Sequence, residues 1–192
     1  MFLIKILFYT SLVLVTSGCT DQIAFNKLTK DISADYKVRM YVSKPLNYNI
    51  SVPKRFGFPE KQNGDTLSME MFRDTTKFIS EGVSKLVVAK YNFKGIETKL
   101  KNVWNRLNSK RPIIENYRIY SEGTTSFFSF PAYYEHAVYT IGGKEYESIC
   151  FLFRGETSSY FAISLEVIRD KYYAVRMKEL LYCTKTIKIL TN

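Results

Sequence analysis

Downstream of residue 113 the apolar positions of this chain recur with a period near two. In Tyr160 to Ile168, the residues Phe161, Ile163, Leu165 and Val167 alternate with Ala162, Ser164 and Glu166, as in a strand with one face inward. The same reading predicts strands over Ile113 to Ser121, Thr125 to Phe130 and Tyr133 to Ile141. Gly142-Gly143 then supplies a positive-φ turn that pairs the last of these with Lys144 to Arg154, and Gly155 to Ser158 makes the next reversal. Upstream, Lys37 to Ser43 and Asn47 to Val52 are β-branched and aromatic segments around Lys44-Pro45-Leu46, which predicts two paired strands, the second stopped by Pro53. Asn63-Gly64-Asp65 is a turn signal ahead of a strand in which Leu67, Met69 and Met71 alternate with Ser68 and Glu70; Lys85 to Phe93 gives another. Asp74 to Ser84 follows neither period.

Two segments switch to a helical period. Ile96, Leu100, Val103, Trp104 and Leu107 fall on one face of a helix that ends near Asn108 or Ser109, with Lys99, Lys101, Asn105 and Arg106 outward and Pro112 beyond its end. Asp170 is a candidate N-cap for a second helix over residues 171 to about 186, where Tyr173, Met177, Leu180, Leu181 and Thr184 form the buried stripe. Ile187 to Leu190 either prolongs that helix or adds a brief strand. This order of elements predicts an α+β domain, one antiparallel sheet covered by two or more helices.

The amino terminus has a different character. Lys5 precedes an apolar run, Ile6 to Val15, that is short for a membrane span, and Thr16-Ser17-Gly18 leads to Cys19. This resembles a lipoprotein signal, whose Cys would be diacylated after cleavage and become the first residue. Thr16 departs from the usual branched apolar residue, which leaves open cleavage by the ordinary signal peptidase after Gly18 and an uncleaved anchor from Phe2 to Gly18. Two acyl chains hold a protein on a bilayer stably. Thr20 directly after the Cys, with Asp21 one place later, resembles signals that send lipoproteins to the outer membrane, facing the periplasm, in a Gram-negative host. The chain thus divides into a leader (1–18), a polar tether (19–36) with room for one helical turn before the body and a reach of at most about 55 Å, and a single domain (37–192).

Composition sharpens this. Apolar residues make up 46% of the 192 residues, with 14 Phe and 15 Tyr, which suits a packed core and half-buried sheet surfaces. The formal net charge is +10, of which the leader carries only Lys5. An exported chain of this sign meets anionic lipid or glycolipid and not nucleic acid. Lys99, Lys101, Arg106, Lys110 and Arg111 on or after the first helix form a candidate anion-binding surface, and Lys171, Arg176, Lys178, Lys185 and Lys188 decorate the second helix; the solvated-face reading stands beside it. Cys150 and Cys183 remain after lipidation of Cys19, as one bridge or as two packed thiols. His136 is the sole histidine, and Glu145, Glu147, Glu156 and Glu166 are scattered, so no catalytic constellation, cofactor motif or metal-ligand spacing emerges.

Tyr48-Asn49-Ile50-Ser51-Val52-Pro53, the helix around Trp104, the run Ser129-Phe130-Pro131-Ala132-Tyr133-Tyr134, the Gly142-Gly143 hairpin and the closing helix near Thr186-Ile187-Lys188 together resemble the PsbP/DcrB-like superfamily over residues 47 to 190. The resemblance implies an α/β/α sandwich, often exported and lipid-anchored, with assembly or binding roles and no site residue to carry over. The expectation is a non-enzymatic, lipid-anchored envelope protein that binds another envelope component, with a toxin- or hydrolase-neutralising lipoprotein as the alternative.

Overall fold

The computed structural model describes residues 25–30, 32, 35–75, 84–92, 99–108, 114–155 and 159–190. A short helix α1 (Phe25–Thr29) leads into the hairpin β1 (Val38–Ser43) and β2 (Tyr48–Pro53), whose reversal places Asn47 in the left-handed region at φ 56°. Then come β3 (Glu60–Gln62), β4 (Leu67–Arg73), β5 (Ser84–Asn92), α2 (Leu100–Asn108), β6 (Glu115–Thr125), β7 (Ala132–Ile141), β8 (Lys144–Arg154), β9 (Ser159–Ile168), α3 (Tyr173–Lys185) and β10 (Lys188–Ile189). The turn between β7 and β8 has φ of 55° at Gly142 and 75° at Gly143, as its two-glycine sequence predicts.

The strands form two sheets where the sequence predicted one. Seven are ordered β3-β4-β5-β9-β8-β7-β6, antiparallel throughout, and β1-β2-β10 form a separate sheet of three. The tail after α3 is therefore a brief strand, with Ile189 opposite Tyr48. The small sheet lies on one face of the large one, where the Tyr41 ring meets Phe72 edge-on at 4.9 Å. Between them Glu70 is buried, accepting hydrogen bonds from the Tyr48 hydroxyl at 2.5 Å and the Tyr41 hydroxyl at 3.1 Å. A buried carboxylate held by two such donors keeps its polar valences satisfied.

Parity along β8 and β9 divides the core. Ile149, Phe151 and Phe153 of β8 join Phe161, Ile163, Leu165 and Val167 of β9 in the larger cluster, with Met177, Leu180, Leu181 and Cys183 of α3. Cys150, Leu152, Tyr160 and Ala162 point the other way and pack with Val103 and Trp104 of α2. The two basic helices thus sit on opposite faces of the sheet.

Two further expectations are corrected. Thr125 ends β6 and residues 126–130 form a bent connection, because Phe127, Phe128 and Phe130 fold back onto Phe151 and Phe153. Asp170 does not cap α3; it stands two residues ahead of the cap residue Tyr172, where its carboxylate takes the Tyr172 N–H at 2.8 Å and the Arg176 guanidinium at 2.5 Å. Of the two readings left open for Cys150 and Cys183, the packed thiols hold: both are buried and free, on opposite faces of the sheet. Within the tether, the helical turn that the sequence allowed is α1, and it docks on the body. Phe25 is buried and stacked on Tyr134 with ring centroids 4.1 Å apart, and Leu28 has no exposed surface. A single helical turn is too short to hold itself in water, and these two side chains pin it to the core.

Phe25→Ala should therefore cost about 3 kcal/mol of unfolding free energy by chemical denaturation, as truncation of a buried ring does. A value near zero would mean that the segment is a free tether.

Candidate functional site

α2 has nine residues and depends on what its apolar side grips. Val103 and Trp104 are buried on the sheet, with Leu100 and Leu107 packed beside them; Ile96 lies outside the described residues. The Trp104 ring lies 6.2 Å from that of Tyr133, and its indole N–H donates to Glu135 at 2.8 Å. The Tyr117 hydroxyl donates to the other oxygen of the same carboxylate. Glu135, buried on β7, thus ties α2 to the sheet edge.

This clamp leaves a cleft at the amino-terminal end of α2, about 540 Å³ in volume and lined by Lys99, Leu100, Lys101, Glu122, Gly123, Thr124, Pro131 and Tyr133. A second hollow of about 390 Å³, bordered by Thr124, Ser126, Phe128, Ser129 and Phe130, adjoins it across Thr124 and Pro131. Such volumes suit a small ligand or a partner's side chains. Glu122 takes the Lys101 ammonium at 2.6 Å and the Tyr133 hydroxyl. The Lys101 bond, then that from Tyr133, holds its carboxyl below the usual carboxylate range. Burial, then the Glu122 hydrogen bond, pushes the Tyr133 hydroxyl up. The wall is therefore a fixed tyrosine–carboxylate–ammonium chain, able to orient a polar group but largely neutralised at Lys101.

Of the candidate anion-binding residues, Lys99 and Lys101 line this cleft, Arg106 is exposed further along α2, and Lys110 and Arg111 lie outside the described residues, as does Cys19. The basic side chains of α3 do not join them, being on the far face of the sheet. Arg176 is committed to Asp170 and to the Ile168 carbonyl at 3.1 Å. Glu122, Glu135 and Thr124 went unnoticed in the sequence, where single carboxylates and a lone threonine carry no periodic signal.

The other polar groups contact one another within the fold. His136 shares its face with Tyr134, and its Nε2 lies 2.8 Å from Glu147, which Arg169 approaches at 3.4 Å while bonding Glu145 at 2.7 Å. Glu166 receives Lys85 at 2.5 Å and the Tyr139 hydroxyl, and Glu156 lies outside the described residues. Arg55 bridges Asp74 at 2.6 Å to Glu179 of α3 through a two-pronged contact. Burial opposes its charge, yet the Glu179 and Asp74 bonds raise its pKa. Burial, reinforced by Glu179, likewise pushes the Cys183 thiol up, which suits a packed thiol rather than a reactive one. Among the described residues, no group of three His, Cys, Asp or Glu is placed to hold a metal ion, and no helix is long and apolar enough to cross a membrane.

No family model and no curated protein matches the sequence. Solved structures do match the fold. Cyanobacterial PsbP from Synechocystis is 11% identical, with 80% of this chain and 92% of that one covered at a TM-score of 0.58. The Saccharomyces cerevisiae Ran-binding protein Mog1p is 12% identical, with 81% and 96% covered at 0.58. A Bacteroides thetaiotaomicron protein is 13% identical over 81% of this chain at 0.52, and this chain spans only 50% of its length. The PsbP-like resemblance therefore holds at the level of fold.

Because the Glu122 carboxyl is depressed in the folded state, the stability it contributes is present above the unfolded value of about 4.3 and is lost as pH falls through the folded one. Glu122→Gln should lower the melting temperature at neutral pH, by no more than an exposed ion pair allows. That deficit should shrink below about pH 4. A deficit that persists unchanged in acid would contradict this assignment.

Proposed function

We propose that this chain is a non-catalytic, lipid-anchored protein of the bacterial cell envelope that binds another envelope component through the cleft between α2 and the β6–β7 connection. The observation that carries the reading is the short apolar run ending in Thr16-Ser17-Gly18-Cys19, which joins a secretory leader to an acylatable thiol at the head of a folded body. Diacylation of Cys19 holds the protein on the membrane, and Thr20 after it favours outer-membrane delivery in a host with two membranes.

The binding half is supported by the cleft, whose volume and mostly apolar lining suit recognition, with the Tyr133–Glu122–Lys101 chain as a fixed polar feature. It is also supported by a fold shared with a Ran-binding protein, a fold that works there by association. The polar groups that line the cleft hold one another, Glu122 taking both the Lys101 ammonium and the Tyr133 hydroxyl, an arrangement that suits orienting a bound group.

Mass spectrometry of the mature amino-terminal peptide should find diacylglycerol on Cys19, and Cys19→Ala should shift the protein from the membrane to the soluble fraction. A photocrosslinker at Thr124 should give one discrete adduct in cells, weakened by Leu100→Glu. An unmodified Cys19 with unchanged fractionation would defeat the anchor. Loss of the adduct at Thr124 while surface sites remote from the cleft crosslink would defeat the binding site.

A further inference from the structure

We propose that the end of the body bearing the β6–β7 connection is held against the bilayer, with Lys27, Lys30 and Lys185 touching anionic phospholipid headgroups. This rests on the acylation of Cys19 proposed above and adds an orientation to it.

The argument begins with chain length. Phe25 is 6% exposed and Leu28 0%, so the polypeptide joins the rigid body at residue 25. Six residue steps then separate Cys19 from the core, at most about 22 Å fully extended. A domain of this size is about 40 Å across. The anchor therefore cannot reach past the body, and whichever end receives the chain faces the membrane.

The contacts of Phe25 identify that end. Its ring stacks on Tyr134 at 4.1 Å and lies 6.0 Å from that of Phe151 and 6.5 Å from that of Phe127. Tyr134 is near the start of β7 and Phe151 near the finish of β8, beside the β6–β7 connection. The Gly142-Gly143 hairpin is at the other end of the same strands, eight residues or about 27 Å from Phe151.

Charge fits the orientation. Lys27 and Lys30 are exposed on and just after α1. Lys185 is exposed on the last turn of α3, its ammonium 5.9 Å from the Phe127 ring centroid. Lysines at this height gain from the surface potential of anionic lipids and can lay their alkyl stems along the aromatic surface beneath.

The test uses the full acylated protein in phosphatidylglycerol/phosphatidylethanolamine vesicles, with a fluorophore at Asn26→Cys or at Lys144→Cys and a nitroxide quencher on the lipid headgroup. Cys150 and Cys183 are buried, so the introduced thiol is the one labelled. Quenching at Asn26 should exceed that at Lys144 severalfold. It should fall when Lys27, Lys30 and Lys185 are changed together to Glu, in high salt, and in phosphatidylcholine vesicles. Equal quenching at the two sites, or stronger quenching at Lys144, overturns the orientation. Quenching at Asn26 that ignores charge reversal, salt and lipid charge overturns the headgroup contact. An intact mass without acyl groups overturns the anchor and this inference together.

Discussion

The central strands β8 and β9 bury side chains on both of their faces. Ile149, Phe151 and Phe153 alternate with Cys150 and Leu152, and none of the five is more than 8% exposed. A sheet with that pattern cannot leave either side in water, since each such side chain contributes about 1.5–3 kcal/mol when covered. The layout follows from this demand. α3 and the small sheet close one face, α2 starts to close the other, and α1 fills the corner left beside Tyr134, Phe127 and Phe151. The ion pairs are secondary. Arg55 fastens α3 to Asp74 through Glu179, and Glu135 fastens α2 through Trp104, each where an apolar contact already exists.

The elements that the sequence displayed were those whose periodicity is set by one neighbour. The alternation in β9, the two glycines of the β7–β8 hairpin and the Leu100, Val103, Trp104, Leu107 stripe are local patterns, and each formed where its spacing predicted. Features that depend on distant partners were not legible. The second sheet gains its third strand because Lys188 and Ile189 pair with Asn49 and Tyr48 from the other end of the chain, and two residues carry no period. Phe25 and Leu28 are only three positions apart in a polar stretch, so nothing local distinguishes a docked turn from a tether. Thr125 to Phe130 reads as a strand by composition, yet its rings gain more by folding back onto β8 than by lining a ladder. The cleft drew two of its lysines from a visible basic cluster, while Glu122 and Tyr133 reach it through the β6–β7 register.

These constraints bear on function together. The fold is one that PsbP and Mog1p share with this chain, and it fixes no activity by itself. In the proposed reading, an acylated Cys19 would lie six residues ahead of Phe25, where the chain joins the folded body. The cleft beside Lys99 and Lys101 opens at the same end of the large sheet as the docked α1, though on the opposite face. A component recognised there would be met close to the surface that the proposed anchor would hold to the membrane.

The account stands on the claim that the large sheet separates two cores, and the two core cysteines report on it directly. Cys150 packs with α2 and Cys183 belongs to α3, with the sheet between them. Peptide mapping of the unreduced protein, alkylated after denaturation, should recover Cys150 and Cys183 on separate peptides, each carrying the alkyl group. A single disulfide-linked peptide joining them in the native protein would place both on one side of the sheet and contradict the architecture described.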